Sequence, residues 1–382
     1  MSDLILKNQK IWKIFSFVFL FQLSFLTLIG MAVFHILYLV ILILFILIFI
    51  SNFEYEWTIV DTIVSVYFGA RIISILLSEY PSLSQITWTR EIIFYPYYYI
   101  ASFYLQNVNL KGSETIFNWI IIGGVATAIV SIFVYANSIS ARAETISAGY
   151  SSVATHLSFV VGILFVKIFK IEKKRFIYFL ISLILITAII LTFTRSAWIV
   201  AGAIFIFSMY RINKILLFAS IALFTISAFA ITPIRERMIT FLNPEQNDSG
   251  RILLWQNATT AIKQKIIFGW GPETFNGINQ DKNIYADPKV ETWHNEFLQN
   301  GVEGGLILFF SYCAIYAIAL NIFFNKLSND GISAETLLIA FLIIAFISAA
   351  FFSNLMRDIL NGYFVKFILA LFSTLYVKKI KI

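Results

Sequence analysis

RFIYFLISLILITAIILTFTRSAWIVAGAIFIFSMYR, residues 175–211, decides the fold. Two apolar runs, 176–193 and 196–210, meet at Arg195, and Arg175 and Arg211 bound the pair. A bilayer core about 30 Å thick takes roughly 20 apolar residues per helix. Each run therefore reads as a membrane span, and the two together as a tight hairpin. The same pattern extends in both directions. Apolar residues make up 59% of the 382 residues and charged residues 13%, with a mean hydropathy of +0.84. A water-soluble domain carries roughly 45–50% apolar and 25% charged residues, so this chain has too little polar surface to cover itself in water. The expected fold is an all-α integral membrane protein of about twelve spans. They fall near 14–30, 34–51, 58–77, 92–106, 115–137, 151–167, 176–193, 196–210, 215–232, 301–324, 333–352 and 359–377.

Lysines set the orientation, because short cytoplasmic loops retain Lys and Arg. With the N-terminus inside, alternate connections carry Lys111, then Lys167, Lys170, Lys173, Lys174 and Arg175, then Arg211 and Lys214, then Lys326, and finally Lys378, Lys379 and Lys381. The short outward connections hold only isolated arginines, Arg90, Arg142, Arg195 and Arg357. Both termini are expected in the cytoplasm. The net charge of +7 and pI near 9.2 sit largely at these inner boundaries, and no nucleic-acid module is visible. Cys313, the single cysteine, excludes a disulfide or a cysteine metal cluster within one chain. The first apolar stretch lacks a small-residue cleavage site, which argues against a removable signal peptide.

One long break interrupts the apolar rhythm and divides the chain into 1–232, a loop of 233–300 facing outward, and 301–382. A connection of that length is usually functional or disordered, and this one carries periodic apolar residues. Thr232 as N-cap and Pro233 at the first helical position open a short interfacial helix with Ile234, Met238, Phe241 and Leu242 on one side. Asp248 or Ser249 caps a second, amphipathic helix in which Ile252, Trp255, Thr259, Ile262 and Ile266 recur at helical spacing before Gly269. Arg251 falls in its first turn, where backbone donors and the helix dipole favour an anion. FGWGPETFNG (268–277) follows, its glycines and Pro272 forcing a tight turn that serves either as a phosphate cradle or as a plain connection. WHNEFLQNGVEGGLILF (293–309) ends the loop, with His294 at the junction with the next span.

SGRILLWQNA (249–258), FGWGPETF (268–275) and HNEFLQNGVEGGLILF (294–309), in that order in one outward loop, resemble the signature of the O-antigen ligase and polymerase superfamily. FTRSAW (193–198) resembles that family's arginine at an outer hairpin, and ARAETISAGYSSVATHL (141–157) its earlier outward loop. The resemblance implies a glycosyltransferase of the bacterial inner membrane with its active site on the periplasmic face. Such an enzyme takes a glycan from undecaprenyl diphosphate and joins it to an acceptor hydroxyl. The acceptor is lipid A core in ligases and another lipid-linked repeat unit in polymerases. His294 and Asn295, followed by nine residues and Gly305, resemble the ligase form of the motif, from which Phe309 departs where a small or hydroxylated residue is expected.

The chemistry can be argued from the residues. A departing lipid diphosphate concentrates negative charge, which fixed cations stabilise where it develops. Arginine binds phosphate bidentately and stays charged, which makes Arg195 and Arg251 the leading candidates. A sugar hydroxyl needs a positioned base, and His294 titrates in a useful range. Around these three catalytic groups the expected substrate contacts are Arg142, His156, Trp255, Gly269, Gly271, Trp293 and Asn295. No cofactor is expected. Without an Asp-x-Asp pair no metal is expected either, and were one required its ligands would come from Asp248, Glu273, Asp281, Asp287 and Glu291. Direct displacement inverts the anomeric carbon, whereas a retaining route would need a carboxylate such as Glu273 or Glu291.

Duller readings stand beside these. Arg195 can snorkel to headgroups, Arg251 can balance charge on a surface helix, and Trp293 fits an aromatic belt. His35 reads as donating to a nearby backbone carbonyl. Arg71 and Lys366 lie inside spans, where they either line a lipid-diphosphate groove or pair with Asp61 or another acid. Transport is the alternative class, but it would typically show two related halves, and no such repeat is present.

Overall fold

A computed structural model describes residues 2–49, 55–108, 110–212, 232–242, 251–279, 290–352 and 358–377, with Met356 and scattered positions between 214 and 225. Among them every regular element is helical. The helices are α1 (Ser2–Ser24), α2 (Met31–Phe49), α3 (Ile59–Leu76), α4 (Pro81–Ser84), α5 (Ile86–Arg90), α6 (Pro96–Asn107), α7 (Leu110–Ala136) and α8 (Tyr150–Lys170). Then come α9 (Arg175–Leu191), α10 (Arg195–Ile212), α11 (Thr232–Leu242), α12 (Arg251–Gln264), α13 (Phe275–Ile278), α14 (Glu296–Asp330), α15 (Ala334–Phe352) and α16 (Ile359–Val377).

Among the described residues, eight segments are long and apolar enough to cross a membrane: α2, α3, most of α7, α8, a stretch ending with α9, α14, α15 and α16. Each matches one expected span. The other four expected spans are not among these eight. Lys7, Lys10 and Lys13 dilute the first half of α1, and 215–232 lies largely outside the described residues. The eighth is occupied by the 18 residues of α10. The fourth, expected at 92–106, is broken: Ile92–Phe94 form a 3₁₀ turn and α6 has only 12 residues, about 18 Å long. Pro96 at the start of α6 and Pro81 at the start of α4 punctuate this stretch. Residues 78–95 thus form a strap of short helical pieces where the sequence suggested a simple connection.

Helices α8 and α16 are the interior of the bundle, buried along most of their length, whereas α2 and α9 turn most of their residues outward. α16 packs against α6 and α8, α14 against α3, and α15 against α8 and α10. Several polar interior positions are satisfied by nearby groups. Asp61 is the N3 residue of α3 in a capping box with Thr58, and it also accepts from Tyr55 (2.7 Å) and Tyr98 (2.6 Å). Arg71 follows the other alternative and pairs with different acids, Glu91 and Glu303. His35 Nδ1 lies 2.6 Å from the Met31 carbonyl oxygen, as expected of a histidine on an apolar helix.

Candidate functional site

The site is built around a break in α14. Gly305 adopts φ 62° and ψ −156°, which divides the helix into 296–304 and 306–330. The break removes Leu306 from the helical ladder, and the motif turn supplies new partners. Leu306 N donates to Ile266 O (2.8 Å), Trp270 N to Val302 O (2.8 Å) and Gly271 N to Glu303 O (2.9 Å). A Cβ on Gly305 would stand 2.3 Å from Ile267 O, and one on Gly269 2.5 Å from Val302 O. Both glycines have positive φ, so two motifs far apart in sequence supply the two halves of one close backbone contact. The Gly269 amide donates to Lys265 O (3.1 Å), so the described turn directs its amides at protein carbonyls. The strap closes over the turn: Glu79 N donates to Trp270 O (3.1 Å) and Ser84 Oγ to Pro272 O (2.7 Å).

Helix α12 lies against the first part of α14. Its buried stripe is Leu254, Ala258 and Ala261, packed with Phe275, Val290, Trp293 and Val302. The stripe legible in the sequence is split: Trp255 and Ile262 pack against this core, whereas Ile252 and Ile266 are about half exposed and Thr259 is exposed. The two alanines were not part of that stripe. They carry little hydropathy signal, yet their small size lets α12 approach closely. Trp293 is fully buried, edge-on to Phe275 at 4.7 Å between centroids, and so is a core residue rather than part of an aromatic belt.

His294 follows directly and is half-buried at φ 50°. Left-handed backbone costs a side-chain-bearing residue about 1–2 kcal/mol. The neighbours that hold it there are the buried Trp293, whose N–H donates to Gln299 Oε1 (3.1 Å), and Asn295, the N-cap of α14, which accepts from Leu298 N (3.1 Å). Four non-glycine residues among those described have positive φ: Ser138, Phe193, Glu273 and His294. The last three each fall in a motif singled out from the sequence.

Arg251 opens α12 and Arg195 opens α10, each half-buried at a helix N-terminus where backbone donors lack helical partners. Arg251, Trp255, Gly269, Gly271, Trp293, His294 and Asn295 all lie on elements of one packed unit. Arg195 belongs to another, in which Phe193 packs with Ile234 and Met238 of α11 and with Trp198. The Arg142 guanidinium sits 4.1 Å from the centre of the Tyr150 ring, and its neighbour Ala143 N donates to Leu191 O (2.9 Å), tying that connection to the hairpin of Arg195. His156 is fully buried in α8, edge-on to Phe364 at 4.8 Å, with neither ring nitrogen hydrogen-bonded. No three His, Cys, Asp or Glu side chains among the described residues are grouped to hold a metal. Asp248, Ser249, Asp281 and Asp287 lie outside those residues.

Beneath this unit sits a buried charge cluster. Arg71 Nε donates to Glu91 at 3.0 and 3.2 Å, its Nη2 to Glu91 Oε2 at 2.8 Å, and its Nη1 to Glu303. Tyr95 also donates to Glu91 (2.7 Å). Glu303 Oε1 accepts from Gln299 and from the backbone N–H of Glu273 (3.1 Å). Arg71 of α3 thus joins the strap to the broken helix and the motif turn. Lys366 has its Nζ 3.3 Å from Gly362 O and 5.7 Å from the centre of the Tyr95 ring. At the edge, Arg90 Nη1 reaches to 3.8 Å from Glu273 Oε2.

Residues 179–313 match the O-antigen ligase family. The matched stretch begins in α9, contains Arg195, Arg251 and His294, and ends just past the break in α14. It bears out the resemblance drawn from the motifs. An uncharacterized protein of Haemophilus influenzae is 24% identical over 196 residues, covering 44% of this chain, and this chain spans about half (49%) of the relative's length.

Against the ligase family's motifs, the residues missed in the sequence are Glu91, Gln299 and Glu303. A partial signal existed for them, since an arginine inside a span requires a partner. Glu303 lies within the motif that ends the loop and Glu91 beside the expected outward Arg90, but neither position says which cation it meets.

Proposed function

We propose that this chain is a membrane glycosyltransferase of the O-antigen ligase type. It transfers a glycan from undecaprenyl diphosphate to an acceptor hydroxyl, that of lipid A core, at the periplasmic face of the inner membrane, with both termini in the cytoplasm. The observation that carries this reading is the strained histidine within the matched stretch, held between a buried tryptophan and a capping asparagine. His294 removes the proton from the acceptor hydroxyl as its oxygen attacks the anomeric carbon. The bond from that carbon to the diphosphate oxygen breaks, and the configuration inverts. Arg251 and Arg195, with the N-termini of α12 and α10, stabilise the charge that develops on the leaving diphosphate. Arg142, His156, Trp255, Gly269, Gly271, Trp293 and Asn295 shape the surroundings of donor and acceptor. The reaction uses no metal. Phe309 favours a second reading, a repeat-unit polymerase whose acceptor is another lipid-linked glycan.

The test is transfer from a polyprenyl-diphosphate-linked glycan by the purified full chain. His294→Ala should lower kcat by about 10²–10⁴-fold, the range of general base catalysis, with insertion and folding intact. Excess chelator should leave the wild-type rate unchanged. A near-normal rate for His294→Ala would remove the histidine as base, and a rate abolished by chelator and restored by magnesium or manganese would overturn the arginine mechanism.

A further inference from the structure

We propose that Glu303 and Gln299 are positioning residues that set the backbone on which His294 and Glu273 are presented, a proposal that rests on the reading of His294 as the base. The geometry is a short chain of hydrogen bonds that converges on the Glu303 carboxylate. Arg71, buried in α3, donates to Glu303 Oε2. Glu303 Oε1 accepts from Gln299 Nε2, and Gln299 Oε1 accepts from Trp293 N at 3.1 Å. Trp293 N belongs to the residue immediately before His294. Glu303 Oε1 also accepts at 3.1 Å from the N–H of Glu273, in the motif turn.

One carboxylate therefore ties together two segments whose residues are held at positive φ, 50° at His294 and 62° at Glu273. All of the tethering atoms are inside the protein: Glu303 is 1% exposed, Gln299 2% and Trp293 0%. Strained backbone persists only where its surroundings over-determine it, and this relay supplies that constraint to both segments. It also explains why position 303 requires a carboxylate. One oxygen faces a guanidinium and the other faces two N–H donors, so both must accept. A glutamine there turns its amide NH₂ either on Arg71 or on Gln299 and Glu273 N–H, and one side is lost whichever way it points.

Two variants test the relay. Gln299→Met keeps the packing and removes both hydrogen bonds. Glu303→Gln combined with Gln299→Glu reverses the middle hydrogen bond, so that position 299 still accepts from Trp293 N and position 303 still accepts from Arg71. With the amide oxygen on Arg71, the Glu273 N–H loses its acceptor in both the single and the exchanged variant, so the comparison between them isolates the His294 side of the relay. Per folded protein, Gln299→Met should lower kcat about 10- to 100-fold, the cost of misplacing a catalytic group by about 1 Å. The KM for the polyprenyl-diphosphate-linked donor should stay within about twofold of wild type, and the limb of the pH–rate profile belonging to the base should move. The exchanged pair should recover at least about tenfold over Glu303→Gln alone, most of the loss a misplaced group causes. A Gln299→Met protein that is merely less stable, with wild-type kcat and pH profile, would overturn the proposal, as would an exchanged pair no more active than Glu303→Gln. A fully active His294→Ala would instead remove the reading beneath it, an outcome these variants do not mimic.

Discussion

Helices α2 and α16 are both long enough to cross a membrane, but they are used in opposite ways. α2 is the most apolar of the eight candidate spans and turns Ile36, Leu39, Ile43, Ile46 and Leu47 outward. α16 is the least apolar, carrying Asn361, Lys366, Ser373 and Thr374, and nearly all of it is buried. In water the ranking would run the other way. In a bilayer the surroundings are as apolar as leucine, so polar groups move inward where partners exist and the purest hydrocarbon faces lipid. The candidate site obeys the same rule, because an ion cluster joining α3, the strap and α14 is buried within it.

That contrast can be broken by substitution. Arg71→Met should have the largest effect: removing the guanidinium leaves Glu91 and Glu303 buried together, and breaking a buried pair this way costs about 3–5 kcal/mol. Thermal unfolding in detergent should show it as a large loss of folded protein, and wild-type stability would mean that the acids find other partners. Leu369→Ala in α16 should cost about 2–5 kcal/mol, since its side chain is enclosed by neighbouring helices. The smallest effect is expected for Ile43→Ala in α2, within about 0.5 kcal/mol, because that side chain is 58% exposed. Equal losses for Leu369→Ala and Ile43→Ala would show that α2 is covered by something other than lipid.

Local pattern reaches a definite depth in this chain. Eight of the expected spans coincide with long apolar helices. The Thr232–Leu242 helix lies where Thr232 and Pro233 put it, and the helix opening at Arg251 lies within the amphipathic stretch that the sequence marked out. The order of the loop motifs and the His-Asn pair were legible because each is written in consecutive residues. The matched family stretch covers all three loop motifs as far as Cys313. Periodicity did not mark the whole buried face of α12, where two alanines with little hydropathy join Leu254 in the contact.

Hydropathy, caps and motif order, properties of neighbouring residues, were therefore determined by the sequence itself: a helical membrane protein, a long connection rich in signals, and the arginines and histidine worth testing. Tertiary structure decided what meets what. The contact between Gly269 and Val302, the capture of Arg71 by Glu91 and Glu303, and the tethering of Glu273 N to Glu303 join residues 20 to 232 positions apart. The break at Gly305 belongs with them, because a glycine in a helical run is tolerated in either conformation until a partner supplies new hydrogen bonds. Here Ile266, Trp270 and Gly271 supply them, and only the folded chain brings these residues to the break.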